Sequence, residues 1–370
     1  MKMYSDLNPP SRILLGPGPS MVPPRVLRAM AHPVVGHLDP EFLQVMSDVQ
    51  ELLWYVFETE NELTIPISGT GSAAMEAALC NFIEPGDRVL IGVNGYFGER
   101  LCAMAARYGA RVQRLDTPWG TVFSPDDVRS ALQGESVKLL GLVHAETSTG
   151  ARQPLDGMAD IAHQHGALLL VDAVASLGGE PVRVDDMELD ITYSGSQKCL
   201  SCPPGVPPLT ISPRAYDILQ ERNTPVQNWY LDLTFLEQYW GDEHAYHHTA
   251  PISLTYALRE ALRLVQEEGL NNRFERHHRN ARYLWDGLQS LGFEPTIPES
   301  YRLPPLTTVH VPDGVDEAPI RSQLLDEYNI EVAGGLGDWA GKVWRIGLMG
   351  YSSRKENVAL LLKAIQDLLG

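Results

Sequence analysis

Short apolar segments alternate with helical patterns through the middle of the chain, and this alternation restricts the fold more than any other feature. Predicted strands lie at Arg88–Val93, 110–115, 137–143, 167–171 and 190–193, and predicted helices at Tyr96–Arg107, 125–132 and 158–165. Strands that alternate with helices are typical of a mostly parallel sheet covered by helices on both faces. The sequence therefore predicts the α/β class.

The pattern changes after about residue 250. The predicted elements there are long amphipathic helices at 253–268 and 271–291, strands at 307–311, 330–332 and 343–348, and helices at 318–327 and Lys355–Leu369. These elements predict a smaller α+β unit. Since 370 residues correspond to about two domains, we expect an N-terminal arm (1–21), a large domain (22–268) and a small domain (269–370).

Composition argues against several classes of partner. Lys and Arg number 29 and Asp and Glu number 47, so the net charge is −18, which disfavours nucleic acid and an anionic membrane surface. Apolar runs stay well short of the roughly 18–20 residues of a spanning helix. The first residues, MKMYSDLNPPSR, lack the apolar stretch of a signal peptide. We expect a cytoplasmic protein that binds neither nucleic acid nor membrane.

Cysteines and histidines give weaker signals. The 4 cysteines are too few for a disulfide framework. Cys199 and Cys202 form a CxxC motif, which leaves open a redox pair or two ordinary reduced thiols. His247 and His248 are adjacent and have no obvious third ligand, so no metal site is predicted.

A glycine-rich segment, SGTGS at 68–72, joins the apolar segment LTIPI to a strongly helical one. Backbone N–H groups at a helix N-terminus, together with the positive end of the helix dipole, form a natural phosphate site. The segment lacks the lysine of a Walker A loop and the spacing of a dinucleotide fingerprint. A phosphate site and a simple capping turn both remain open from this motif alone.

Two further polar residues follow predicted strands. Asp172 comes directly after the most apolar strand, where an open α/β sheet places ligands; it could cap a helix, bind a metal or sugar hydroxyl, or pair with a protonated ring nitrogen. Lys198 ends the segment YSGSQK and could be solvated or form a Schiff base with a carbonyl compound. Pyridoxal phosphate (PLP) requires all three features: a phosphate cradle, a carboxylate at its ring nitrogen and a lysine at its aldehyde.

With these motifs the chain resembles the class V, fold-type I PLP-dependent aminotransferases, in particular the alanine–glyoxylate and serine–glyoxylate (serine–pyruvate) aminotransferases. The matching segments are LLGPGPS (14–20), SGTGSAAMEAAL (68–79), EPGDRVLIGVNGYFGER (84–100), HAETSTG (144–150), QPLDG (153–157), LLLVDAVASLGG (169–179), YSGSQK (193–198), YHHTAP (246–251) and GGLG with KVWRIGLMG (334–350). They extend over nearly the whole chain.

The resemblance implies a role for individual residues. Lys198 would hold the cofactor and move the proton at the substrate Cα, Asp172 would face the pyridine nitrogen, and Val174 would pack on one ring face. Phe97, or alternatively Tyr96, would stack on the other face. The further implied ligands are Ser148 for the phenolic oxygen, Thr70, Gly71, Ser72 and Gln197 for the phosphate, Tyr246 and Thr249 for the phosphate from a neighbouring subunit, and Arg345 and Gly18 for the substrate.

The implied activity is ping-pong transamination from alanine or serine to glyoxylate or pyruvate, in a homodimer with a shared active site. A related aminotransferase that uses phosphoserine, aminoethylphosphonate or pyridoxamine is the main alternative. A cysteine desulfurase is disfavoured because no cysteine follows Cys202. A catalytically inactive scaffold is disfavoured because Lys198, Asp172 and Arg345 are all present.

Overall fold

The computed structural model describes residues 3–370. The helices are α1 (Pro24–Met30), α2 (Pro40–Phe57), α3 (Gly71–Cys80), α4 (Tyr96–Arg107), α5 (Pro125–Ala131), α6 (Met158–Gln164), α7 (Pro213–Gln220), α8 (Leu233–Trp240), α9 (Ile252–Glu268), α10 (Leu270–Ser290), α11 (Glu317–Tyr328) and α12 (Lys355–Leu369). The strands are β1 (Ile13–Leu14), β2 (Thr64–Pro66), β3 (Arg88–Val93), β4 (Arg111–Asp116), β5 (Leu139–Val143), β6 (Ala145–Glu146), β7 (Ala151–Arg152), β8 (Leu168–Asp172), β9 (Ile191–Tyr193), β10 (Pro208–Ile211), β11 (Glu294–Pro295), β12 (Leu306–His310), β13 (Ile330–Glu331), β14 (Ala333–Gly334) and β15 (Val343–Gly347).

The central sheet has the strand order β2-β10-β9-β8-β5-β3-β4, with 7 strands within residues 3–370. Neighbouring strands from β9 through β8, β5 and β3 to β4 are parallel. Strand β10 is antiparallel to both β2 and β9. The predicted α/β class with a mostly parallel sheet is therefore confirmed, with an antiparallel addition at one edge.

Strand β8 shows how the sequence dictates this arrangement. All its residues are buried, because β5 and β9 flank it and other elements cover both sheet faces. A strand buried on both faces is apolar throughout, so the acidic residue at its end is the exception. Asp172 is paired in register with Val143 of β5 and Tyr193 of β9. The carboxyl ends of three parallel strands thus meet at one edge of the sheet.

Predicted and observed elements agree closely where the hydrophobic pattern is strong. Helices α4 and α12 have the predicted bounds, and strand β3 does as well. Helix α2 and strand β10 were not predicted from the sequence. Strand β10 is short and begins with proline, which weakens a strand signal, and it forms the ladder only as an antiparallel neighbour.

The C-terminal part forms a second sheet of order β11-β12-β15-β14. Its hydrophobic core is separate from the core of the central sheet and contains Phe293 and Trp344, whose rings pack 5.0 Å apart. Gly269, with φ +80°, joins α9 to α10. The two cores agree with two structural units, and the domain boundary near Gly269 stays a prediction. Within residues 3–370 no helix is both long and apolar enough to cross a bilayer.

Candidate active site

A cavity of about 200 Å³ lies at the carboxyl edge of the central sheet. Its wall is formed by Thr70, Gly71, Ser72, Met75, Phe97, Arg100, Ala145, Thr147, Asp172, Val174, Gln197 and Lys198. Most of the residues predicted to bind cofactor are in this set. A larger groove of about 810 Å³ lies between α1, α9, α10 and the start of α12 and contains none of the predicted site residues among its lining. The smaller cavity therefore corresponds to the predicted site.

Asp172 lies at the base of the cavity and is almost completely buried. Its Oδ1 accepts a hydrogen bond from the Val174 backbone N–H (2.9 Å), and its Oδ2 accepts one from the Tyr193 hydroxyl (2.7 Å). Burial raises the pKa of Asp172 to about 6. The sequence analysis did not identify Tyr193 as a site residue. The sequence indicated only that Tyr193 ends the strand after β8; its position beside Asp172 depends on the pairing of the two strands.

Lys198 follows β9 and enters the same cavity. Its Nζ donates a hydrogen bond to the carbonyl oxygen of Pro17. Burial lowers the pKa of Lys198 to about 8, because a low-polarity environment disfavours the ammonium form. Gly18 has φ +119°, and a Cβ at this position would lie 2.5 Å from the lysine Nζ. The GPGP segment therefore requires glycine where it passes the lysine.

The predicted phosphate cradle is the start of helix α3. Thr70 is the extended N-cap residue and makes no side-chain capping bond, so the first-turn N–H groups of Gly71 and Ser72 remain available. A Cβ at Gly71 would meet nothing within 4 Å, which shows open space in front of the helix. Gln197 also lines the cavity. Its Oε1 is buried and has no hydrogen-bond partner within residues 3–370.

Phe97 lies at the cavity, whereas Tyr96 is 43% exposed and is not part of its wall. Phe97 is held by Glu146, whose Oε2 accepts the Phe97 backbone N–H (3.0 Å). Ser148 donates its hydroxyl to Glu146 Oε1 (2.6 Å) and accepts the Tyr96 backbone N–H (3.0 Å). Ser148 is not part of the cavity wall, so in this structure it caps helix α4 beside the site.

Glu146 is a supporting residue beside the cavity that was not predicted from the sequence. It is fully buried, and burial raises its pKa to about 7. A Cβ at Gly95 would lie 2.4 Å from its Cγ, so glycine at position 95 allows the carboxyl group to reach the start of α4. Within HAETSTG the residue had no separate chemical signal, because its role depends on the distant helix that it caps.

Arg345 lies on β15 and is buried. Its Nε donates to the carbonyl oxygen of Gly334 (2.8 Å) and its Nη1 to that of Thr147 (3.1 Å). Thr147 belongs to the cavity wall, so the guanidinium is next to the cavity. Among residues 3–370 no carboxylate forms an ion pair with Arg345. Its other N–H groups are free for a ligand.

Tyr246 and Thr249 lie apart from the cavity wall, and Tyr246 is 63% exposed. His247 and His248 contact each other through their Nδ1 atoms (2.8 Å), and His248 Nε2 lies 2.6 Å from the Ser68 hydroxyl. Burial lowers the pKa of His248 to about 4. In the described part of the chain no group of three His, Cys, Asp or Glu residues could hold a metal ion.

The CxxC cysteines are buried free thiols. Cys199 Sγ donates to the carbonyl oxygen of Ala175 (3.3 Å), and burial raises the pKa of this thiol to about 12. Burial also raises the pKa of Cys202. Thiols with raised pKa values in apolar surroundings are poor nucleophiles, which favours the interpretation as ordinary reduced thiols.

The model of the aminotransferase class-V family matches residues 12–360. This chain belongs to the class-V aminotransferase family. It is 44% identical to an alanine–glyoxylate aminotransferase of Callithrix jacchus, over 99% of this chain and 90% of that protein. It is 42% identical to a (S)-ureidoglycine–glyoxylate transaminase of Bacillus subtilis, over 98% of this chain and 92% of that protein.

A crystal structure of an alanine–glyoxylate aminotransferase from Nostoc sp. superposes on this class-V aminotransferase with a TM-score of 0.98. The two chains share 56% identity, and the match covers 100% of this chain and 98% of the other. The predictions of an enzyme, of fold type I and of PLP as cofactor are thereby confirmed.

The residues of this class-V aminotransferase fit PLP on chemical grounds. The open helix N-terminus at Gly71 suits a phosphate, Asp172 suits a protonated ring nitrogen, and Lys198 suits an aldehyde. The unpartnered amide of Gln197 can turn so that its NH₂ group donates to a phosphate. The same wall also contains Arg100, which the sequence analysis did not select.

Proposed function

We propose that this enzyme transfers an amino group from a small amino donor, alanine or serine, to glyoxylate, with pyruvate as a further acceptor. The observation that carries the proposal is the buried Arg345 guanidinium, which borders the cavity and has no carboxylate partner among residues 3–370. A buried guanidinium is stabilised by a bidentate anion. The carboxylate of a small amino or 2-oxo acid provides that anion. The 56% identical Nostoc protein, which is an alanine–glyoxylate aminotransferase, supports the choice of substrates.

The other cavity residues would bind the cofactor, transfer the substrate proton and balance the charge of the cofactor ring. PLP, when bound, supplies an electron sink for the electrons of the substrate Cα–H bond. Lys198 would hold the cofactor aldehyde and accept or return the Cα proton, for which its pKa near 8 is well placed. Asp172 would balance the charge of a protonated ring nitrogen, and the Tyr193 hydroxyl keeps its carboxylate oriented.

Substrate orientation would come from two fixed points. Arg345 would anchor the carboxylate beside Thr147, and Lys198 lines the same cavity as Thr147. Fixing the carboxylate restricts the rotation of the Cα–H bond relative to the lysine, and such orientation contributes strongly to rate. Gly18 leaves space beside the Lys198 Nζ, where any side chain would collide with the lysine.

We further propose a homodimer in which Tyr246 and Thr249 reach the phosphate site of the neighbouring subunit. Support comes from exposed aromatic side chains around this segment. Tyr246 is 63% exposed and Trp229 is 60% exposed, although both are large and apolar. Clusters of this kind mark protein–protein contacts. Co-expression of Tyr246→Phe with Lys198→Ala should yield hybrid dimers with altered activity, and a fully active monomer would exclude the shared site.

A second candidate donor is ureidoglycine, because the Bacillus subtilis transaminase of that name is 42% identical to this chain. The test is a donor panel of alanine, serine, glycine, ureidoglycine, phosphoserine, aminoethylphosphonate and pyridoxamine. Each half-reaction is followed through the visible absorbance of the bound cofactor. Alanine or serine should react fastest, and a clear preference for any other donor would overturn the proposal.

We also propose a cytoplasmic location. The cysteines of the described chain are all free thiols, which suits a reducing compartment. Fractionation of the source cells with an antibody against this chain tests the proposal, and recovery outside the cytosolic fraction would contradict it.

A further inference from the structure

Arg100 is a cationic residue at the cavity that none of the preceding assignments uses. It lies one helical turn after Phe97 on α4, so both side chains are on one face of that helix. Its guanidinium carbon lies 4.8 Å from the centre of the Phe97 ring, and its Nη1 donates to the Ser72 hydroxyl at 3.3 Å. Arg100 therefore joins the ring-stacking residue to the phosphate cradle.

This guanidinium is not neutralised by a direct ion pair, although its charge acts on Asp172 at longer range. Within residues 3–370 Arg100 has no carboxylate partner, and the bond to Ser72 uses only one of its N–H groups. Some other arginines of the chain are neutralised locally: Arg114 pairs with Asp116 at 2.6 Å, and Arg25 pairs with Glu267 at 2.6 Å. A cation held at a cavity wall without a counterion is suited to an anionic ligand.

We propose that Arg100 binds the phosphate group of PLP, together with the N-terminus of helix α3. A helix N-terminus offers only about half of a positive charge, whereas a cofactor phosphate carries about two negative charges. The contact with Ser72 directs the guanidinium to this end of the cavity. A cation–π contact with the Phe97 ring stabilises the Arg100 guanidinium in this position.

The substrate carboxylate is the other anion that enters the cavity, and the geometry favours phosphate over it. Arg345, which donates a hydrogen bond to Thr147, is already the proposed ligand of the substrate carboxylate. Arg100 instead contacts Ser72 in the first turn of α3, beside the open space at Gly71. This inference rests on the proposed cofactor site, and its test must separate a failure of that site from a failure of Arg100.

The test compares PLP with pyridoxal, which has the same ring and aldehyde but no phosphate. Full-length protein freed of cofactor is examined by equilibrium dialysis with each ligand, as wild type and as Arg100→Gln and Arg100→Lys. For Arg100→Gln we expect PLP affinity to fall by tenfold to a hundredfold and pyridoxal affinity to change by less than twofold. Arg100→Lys should recover most of the loss, because it keeps the charge.

Arg107→Gln is the matched control, because it removes an exposed charge from the same helix outside the cavity wall. It should leave both affinities unchanged. Unchanged PLP affinity in Arg100→Gln would overturn the proposal, as would equal losses of PLP and pyridoxal, which would indicate a role through Phe97. If Arg100→Gln is unfolded by circular dichroism, Arg100→Met, which keeps the aliphatic stem, is judged by the same criteria. A wild-type protein that binds PLP no better than pyridoxal would instead reject the cofactor site.

Discussion

Replacing Arg345 by glutamine should strongly reduce the discrimination between a carboxylate substrate and its uncharged analogue. In the structure two backbone carbonyl groups hold the guanidinium, at 2.8 Å (Gly334) and 3.1 Å (Thr147), and the rest of its N–H groups are free. Hydrogen bonds to charged groups contribute about 1.5–3 kcal/mol each. A bidentate contact with the substrate carboxylate therefore contributes about 3–6 kcal/mol.

Glutamine can still donate one hydrogen bond, so the net loss for alanine should lie near the lower part of that range, about 3–4 kcal/mol. At about 1.36 kcal/mol per factor of ten, kcat/KM for alanine should fall roughly 150- to 900-fold. Alaninamide has no carboxylate, so its reaction should be nearly the same in the wild type and in Arg345→Gln. For Arg345→Lys, kcat/KM for alanine should lie between the values of the wild type and Arg345→Gln, because lysine keeps the charge but not the planar fork of the guanidinium.

The assay is the half-reaction with each donor, measured by stopped flow through the visible absorbance of bound cofactor. The decisive quantity is the ratio of the alanine and alaninamide rate constants, since a general loss of folding or cofactor lowers both. Arg345→Gln should lower this ratio by the same roughly 150- to 900-fold. Equal slowing of both donors would show that Arg345 supports the fold and not the substrate, and an unchanged ratio would exclude carboxylate binding.

Three further predictions concern protonation and stability. Burial lowers the pKa of Lys198 to about 8 from 10.5, so the rate of PLP capture by cofactor-free protein should rise with pH around 8, and a midpoint above about 10 would contradict the burial argument. Burial raises the pKa of Asp172 from 3.8 to about 6, so the folded protein binds this proton more tightly than the unfolded chain does. The resulting contribution to stability is complete below about pH 3.8 and is lost as pH rises through about 6. Cofactor-free Asp172→Asn should therefore be more stable than the wild type at pH 8, by about 1–3 kcal/mol, and equally stable below about pH 4, as measured by urea unfolding. Glu268→Gln removes the carboxylate charge that pairs with the buried Arg273 at 2.6 Å and with Arg276 at 2.5 Å, and it should cost about 2–4 kcal/mol. Glu135→Gln, at an exposed pair with Arg111, should cost less than about 1 kcal/mol, and similar losses in both variants would refute the burial argument.

The main parts of the site could be predicted because they follow regular elements. Asp172 ends an apolar strand, Lys198 follows the next strand, and Gly71 opens a helix. Parallel strands place their carboxyl ends at one edge of the sheet, so residues far apart in sequence meet there. Local pattern and topology were sufficient to predict that these three residues share one cavity.

The supporting residues could not be predicted in the same way. Glu146 acts by accepting the backbone N–H of Phe97, and that contact depends on how α4 packs against the loop after β5. Tyr193 acts through a hydroxyl whose direction is set by the register of β8 and β9. A one-dimensional pattern carries no information on such side-chain directions. The bond from the Tyr96 N–H to Ser148 is set by packing in the same way, and the cofactor contact of Ser148 stays a prediction.

Charge at the cavity explains how a protein with a net charge of −18 can bind two anionic groups. Some arginines that connect structural elements are neutralised by carboxylates, as the Arg273–Glu268 pair shows. Arg100 and Arg345 differ, since neither has a carboxylate partner among residues 3–370. Asp172 in the cavity wall and Glu146, which holds Phe97, have pKa values raised by burial to about 6 and about 7. Near neutral pH part of their negative charge is therefore absent, which leaves the cavity more positive than its composition suggests. A protonated ring nitrogen beside Asp172 would lower its pKa again, so cofactor binding should itself restore the carboxylate that balances the ring.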